Sequence, residues 1–252
     1  MNGKIKIFSK ANMLDQNLKM TLVLIITVLF SIFFNNTFIL GEIICRLPLV
    51  SQFSSPLMRM IFLVFLGVVS YVAILPFNYG RDIWFYENAK KNKLSLKKLF
   101  SYYSIKKSSG AIKILFSVQI RKLLATLLFL APSIAVGAYL LYALRDGIGE
   151  LMMLSLAVSF FLLLLTGLFF SFVYCQKYIL APYLFYENEG CSAREIISFS
   201  SKIMENRCFD TAMFKLSFFP WYLLYILVFP AVYVYPYYKT SISFKVLSLL
   251  TK

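Results

Sequence analysis

Five stretches of this chain run for twenty residues or more without Asp, Glu, Lys or Arg: 20–41, 60–80, 123–144, 151–176 and 216–235. A helix rises about 1.5 Å per residue, so roughly 20 residues cross a ~30 Å hydrocarbon core. In lipid every backbone N–H and C=O needs an internal partner, which leaves helices or closed barrels. Barrel strands would alternate over about ten residues, whereas these runs are longer and apolar on all sides. The sequence therefore predicts an all-α fold, a polytopic transmembrane helical bundle of five spans plus interfacial helices, built as one integral membrane domain. Composition agrees, since only 15% of the 252 residues are charged and a water-facing surface usually needs about 25%.

Lys4, Lys6, Lys10 and Lys19 precede the first stretch, as in a secretory signal. Its apolar core is too long for a signal h-region, and no small-x-small site follows, so a retained anchor is expected. Four cysteines (Cys45, Cys175, Cys191, Cys208) show no CxxC spacing and the chain has no histidine. They read as small apolar side chains, with no metal or cofactor implied.

The net charge of +15 invites a nucleic-acid partner, but its distribution argues otherwise. With the N-terminus inside, twenty Lys and Arg fall in residues 1–19, 81–122 and 177–215, against six in the outer segments. That asymmetry follows the positive-inside rule. It predicts a cytoplasmic N-terminus, an outer C-terminus and no nucleic acid. The inner basic loop 81–122 is the densest patch, with Lys90, Lys91, Lys93, Lys97, Lys98, Lys106 and Lys107. Each cation near an anionic leaflet gains about 1 kcal/mol, so these lysines are expected at lipid headgroups or at an acidic partner.

Aromatic residues crowd the span ends, among them Trp84, Phe85, Tyr86, Tyr174, Tyr178, Trp221 and Tyr237, where interfacial anchoring is expected. Prolines sit at 76, 132, 220 and 230. Pro220 opens the last span at little cost, while Pro230 is expected to free the Ile226 carbonyl and kink it. Ser133xxxGly137 and Ala131xxxAla135 offer small faces for close helix contact. No Asp, Glu, His or Arg lies inside the spans, where ion and proton pathways usually keep one. Polarity within the spans amounts to uncharged groups such as Asn35, Asn36, Ser155, Ser159 and Thr166.

Phe85-Tyr86-Glu87-Asn88 recurs as Phe185-Tyr186-Glu187-Asn188, each time after a span returning to the inner face. Each copy leads to a serine that opens a short helix: Ser95 in the first, Ser192 in the second. Ser192 and Glu195 form a capping box, each satisfying an N–H of the other's end. The shared order of span, motif and capped helix favours an internal duplication. The second inner helix, 192–207, sets Ile196, Ile197, Phe199, Ile203 and Met204 largely along one side, as an amphipathic interfacial helix does.

Further residues carry a resemblance. Ser192-Ala193, Ser200 and Met204, then Leu216-Ser217-Phe218 with Trp221, and Pro236-Tyr237 with Phe244, resemble the carboxy-terminal half of a bacterial membrane-protein family. That family is called domain of unknown function nine-seven-five, and the likeness covers residues 179–244. Where the family has glycine, this chain has Asn206, which also tolerates a left-handed helix end. The resemblance implies a multi-pass protein of the bacterial plasma membrane and brings no established reaction.

An enzyme would have to use Asp82, Glu187 or Glu189 for acid–base work without histidine, so none is expected. The expected role is structural, regulatory or partner-binding. Membrane lipids with anionic headgroups, another membrane protein or a second copy of the chain are the expected partners. Transport of a neutral or lipidic molecule through the bundle is the alternative, since duplicated bundles often serve transport.

Overall fold

A computed structural model describes residues 2–35, 56–90, 95–146, 149–188, 190–223 and 228–251. Their regular structure is entirely helical. Helices α1 (Asn2–Asp15) and α2 (Asn17–Asn35) precede α3 (Pro56–Ala89), a 3-10 helix (Leu96–Tyr103), α4 (Ile105–Asp146) and α5 (Glu150–Cys175). A 3-10 turn (Gln176–Tyr178) then leads to α6 (Ala181–Glu187), α7 (Ala193–Ile203), α8 (Cys208–Leu216), α9 (Phe219–Leu223) and α10 (Val228–Leu250).

Among the described residues, three helical stretches are long and apolar enough to cross a membrane: Met60–Ala89, Lys107–Arg145 and Glu150–Glu187. They contain the expected spans 60–80, 123–144 and 151–176. The helices overrun those spans because a charge ends a hydropathy window without ending a backbone hydrogen-bond ladder. Much of the expected loop 81–122 is consequently helical, as the end of α3 and the start of α4. Of the span 20–41, α2 holds residues up to 35 and the remainder lies outside the described residues. α2 and α1 are bent by 93° and count as a fourth candidate if the pair is taken as one span.

The expected span 216–235 is not one helix. α8 ends at Leu216, where the Ser217 hydroxyl donates to the Phe214 carbonyl at 2.7 Å, and α9 restarts at Phe219. Pro220 lacks the N–H that would continue the ladder, so it fits only a fresh first turn. Residues 224–227, and with them Ile226, lie outside the described residues. Pro230 sits in the first described turn of α10, and Pro236 is the proline inside that helix. The residues that follow Pro236 stay helical to Leu250 as part of α10.

The helices cluster into two compact units, Met1–Leu115 with Phe218–Lys252, and Phe116–Ser217. In the first, α10 packs against α1, α2 and α3, and the 3-10 helix packs on α3. Its core is aromatic and large: Phe77, Tyr79, Trp84, Phe85 and Tyr86 are all buried, with Met13, Met20, Leu99 and Val246. Trp84, Phe85 and Tyr86 were expected at a lipid interface; protein covers them instead. Gly80 permits the closest approach, because a Cβ there would overlap the Leu99 carbonyl. Beside it Tyr79 and Tyr102 meet edge to face at 4.7 Å, and the Tyr103 hydroxyl donates to the Ala73 carbonyl at 3.0 Å.

The second unit is built differently. Most of α5 is exposed, with Leu151, Leu154, Leu162 and Leu165 each more than half accessible. Soluble proteins rarely expose so long an apolar face. α4 and α5 meet where Gly167 leaves room for the Phe129 carbonyl and Gly137 for the Phe160 ring; a Cβ would stand 2.7 and 2.9 Å from them. The small face at Gly137 was legible in sequence, and the one at Gly167 was not singled out. Thr126 and Ser171 hydroxyls join the same pair of helices at 2.8 Å.

Candidate functional site

The first Phe-Tyr-Glu-Asn copy closes α3. Glu87 and Asn88 are buried with the aromatic pair before them. The Asn88 carbonyl, one of the orphan acceptors at a helix end, takes a hydrogen bond from the Asn12 side chain of α1 at 3.1 Å. The Asn88 side-chain amide is buried and has no hydrogen-bond partner among the described residues. Lys90 folds back on the motif, its Nζ 4.5 Å above the Tyr86 ring and 3.9 Å from Glu87 Oε1.

The rest of the expected basic patch is dispersed. Lys97 and Lys98 ride on the 3-10 helix, which Ser95 opens by accepting the Lys97 N–H at 3.3 Å. Lys97 is exposed and Lys98 half-buried. Lys106 and Lys107 stand in the first turn of α4, Lys107 exposed. Lys91 and Lys93 lie outside the described residues.

One charged cluster was not assembled from the sequence. Asp82 Oδ1 accepts from Lys239 Nζ of α10 at 2.8 Å and from Arg81 Nη2 at 3.2 Å. Two helical turns further along α10, the buried Lys245 Nζ donates to Asn2 Oδ1 of α1 at 3.0 Å. Asp82, one of the three acid–base candidates, thus faces two cations. Lys239 and Lys245 were expected on the opposite face from the N-terminus and Asp82. The contacts put Lys239 beside Asp82 and Lys245 beside Asn2.

The second motif copy lies on α6 and is far more open. Phe185 and Tyr186 are half-buried, and Glu187 and Asn188 are exposed. Asn188 caps its own helix, donating both its backbone N–H and its side-chain Nδ2 to the Leu184 carbonyl at 3.0 and 3.1 Å. Glu189 lies outside the described residues. The expected capping box is formed: Ser192 Oγ accepts the Glu195 N–H at 3.3 Å, and Glu195 Oε2 accepts the Ser192 N–H at 3.0 Å. Ile196, Ile197 and Met204 are buried, while Phe199 is 54% exposed and so departs from the expected apolar side. α7 stops at Ile203, short of the expected 207, because Asn206 adopts φ 63° and ends the helix as a glycine would.

Cys175, Cys191 and Cys208 are free thiols, and Cys45 lies outside the described residues. Burial pushes the Cys208 thiol above its usual pKa, against the pull of Lys177, while its Sγ donates to the Met204 carbonyl at 3.2 Å.

A groove of about 300 Å³ opens in the second unit, lined by Arg121, Leu124, Leu128 and Phe129 of α4 and by Tyr174 and Tyr178 across from them. Lys177 Nζ rests 4.3 Å from the Tyr174 ring centroid. Helical spacing places Arg121, Leu124, Leu128 and Phe129 on one stripe, but the facing tyrosines depend on how α4 and α5 register. No single stretch of sequence carries that signal. Comparison with family models, curated proteins and solved structures returns no match.

Proposed function

We propose that the chain is a non-enzymatic, multi-pass protein of the bacterial plasma membrane, with a structural, regulatory or partner-binding role. The observation that carries this reading is the contrast between paired charge and exposed hydrocarbon. Asp82 is neutralised by Lys239 and Arg81, while the long faces of α4 and α5 are apolar and open. Two exposed hydroxyls of α5 turn back on their own helix: Ser159 Oγ bonds the Ser155 carbonyl and Thr166 Oγ1 the Leu162 carbonyl, both at 2.8 Å. Such hydroxyls satisfy themselves in lipid and do not line a polar path.

The basic segments are assigned to the cytoplasmic side by the positive-inside rule. The Lys239–Asp82 and Lys245–Asn2 contacts favour the end of α10 on that side also. Duplication of the motif is supported by the matching order of motif, serine cap and short helix in both units. Kinship with the family named above rests on its motif residues.

The test is gentle extraction from the native membrane, followed by cross-linking and mass spectrometry. A stoichiometric protein partner, or a stable oligomer of the chain, is expected. A second reading, movement of a lipidic molecule, is favoured by the apolar groove beside α4. Flux of a neutral or lipidic solute in vesicles that contain only this protein would establish that reading and remove the first.

A further inference from the structure

The groove on the second unit is amphiphilic from one end to the other. At one end stands Arg121, exposed, with no carboxylate paired to it among the described residues. From there Leu124, Leu128 and Phe129 continue along the same stripe of α4 and give the groove an apolar floor. Tyr174 and Tyr178 form the opposite wall, meeting edge to face at 6.4 Å. Lys177, outside the lining itself, makes a cation–π contact with Tyr174 of that wall, and no carboxylate is paired to it among the described residues.

The register of the two helices fixes the depth of these charges. Thr126 meets Ser171 at 2.8 Å, and Cys175 Sγ meets the Lys122 carbonyl at 3.9 Å. Arg121 and Lys177 therefore lie at one level, just outside the charge-free stretch 123–144 of α4 and the 151–176 stretch of α5. With an apolar core of ~30 Å between the ends of such stretches, that level is where lipid phosphates sit. Tyrosines with an apolar body and a polar tip favour the same depth.

We infer that this groove holds one anionic phospholipid, its phosphate against Arg121 and Lys177 and the start of an acyl chain along Leu124 and Leu128. The volume, about 300 Å³, stands at the small end of ligand-sized pockets, which suits part of a chain rather than a whole lipid. Charge complementarity selects the headgroup. Two cations without carboxylate partners at phosphate depth favour a net-negative lipid over a zwitterionic one, whose own ammonium already neutralises its phosphate. The sequence placed headgroup contact on the lysines after α3; the groove places a discrete contact on a different helix pair.

The inference rests on α4 and α5 lying in a bilayer, and the experiment separates the two claims. First, carbonate washing of native membranes must leave the chain in the pellet; release into the supernatant overturns the membrane reading itself. Native mass spectrometry of the full chain in detergent is then titrated with phosphatidylglycerol and with phosphatidylcholine of equal chain length. One phosphatidylglycerol is expected to bind about tenfold more tightly than phosphatidylcholine. Arg121→Gln should lose most of that preference, and Lys113→Gln, elsewhere on α4, should keep it. Leu128→Trp, which fills the floor, should weaken both lipids. Equal binding of the two lipids by the wild type, or an unchanged preference in Arg121→Gln, would overturn the site. Competition by inorganic phosphate alone at equal concentration would also overturn it, because it would show a phosphate site with no use for the chain.

Discussion

The same four residues, Phe-Tyr-Glu-Asn, end two helices of this protein and meet opposite fates. In the first unit they finish the 34-residue α3, and Trp84 through Asn88 are buried. In the second they finish the seven-residue α6, where Glu187 and Asn188 face outward. The difference comes from what precedes and covers them. α3 runs unbroken from the apolar span into the motif, and both α1 and α10 pack on this unit. The 3-10 turn Gln176–Tyr178 intervenes before α6, so the second copy starts afresh on a short helix. Burial belongs to the surroundings of a motif and not to its letters.

The largest expected effect tests this contrast head on. Trp84→Ala should cost about 3–5 kcal/mol, the range for deleting a fully packed aromatic side chain, whereas Phe185→Ala should cost about 1 kcal/mol because that ring is half-buried. Thermal unfolding in detergent, followed by size-exclusion chromatography, reads both. Similar losses at the two sites would break the comparison. Next in size is Asp82→Asn, which leaves Lys239 facing Arg81 without a carboxylate. Removal of one partner from a buried pair costs about 3–5 kcal/mol; with these side chains 21–29% exposed, about 2 kcal/mol is expected. Adding Lys239→Gln should restore part of the loss, and strictly additive losses would deny the pair any coupling. The smallest effect compares the caps. Ser192→Ala should cost about 1 kcal/mol, since it dismantles a two-bond box. Ser95→Ala removes one bond and should cost about half as much; the reverse order would show that the box adds nothing.

Those caps were legible because the capping box is a local pattern, as was the left-handed turn at Asn206. The three long apolar helices were legible from length and missing charge. What escaped was whatever depends on a distant partner. Lys239 and Lys245 count among the outer charges in sequence, yet their partners, Asp82 and Asn2, lie 157 and 243 residues away. Pro220 opens α9, whose described residues end at Leu223, after a turn at Ser217 that no hydropathy window marks. The groove at Arg121 needs the α4–α5 register, which Gly167 and the Thr126–Ser171 bond fix only once the helices have met.

The length of α4 carries one more consequence. Its 42 residues extend about 63 Å, whereas the charge-free stretch 123–144 covers only about 33 Å of that. Arg121 and Lys122 form a collar at one end of this stretch and Arg145 a collar at the other. A bilayer core of ~30 Å is shorter than that stretch by about 3 Å, a mismatch that a lean of the helix or a local thickening of the lipid would absorb. A thicker membrane would let the helix stand upright. The spacing of the two collars on α4 thus sets the thickness of lipid that the helix matches without adjustment.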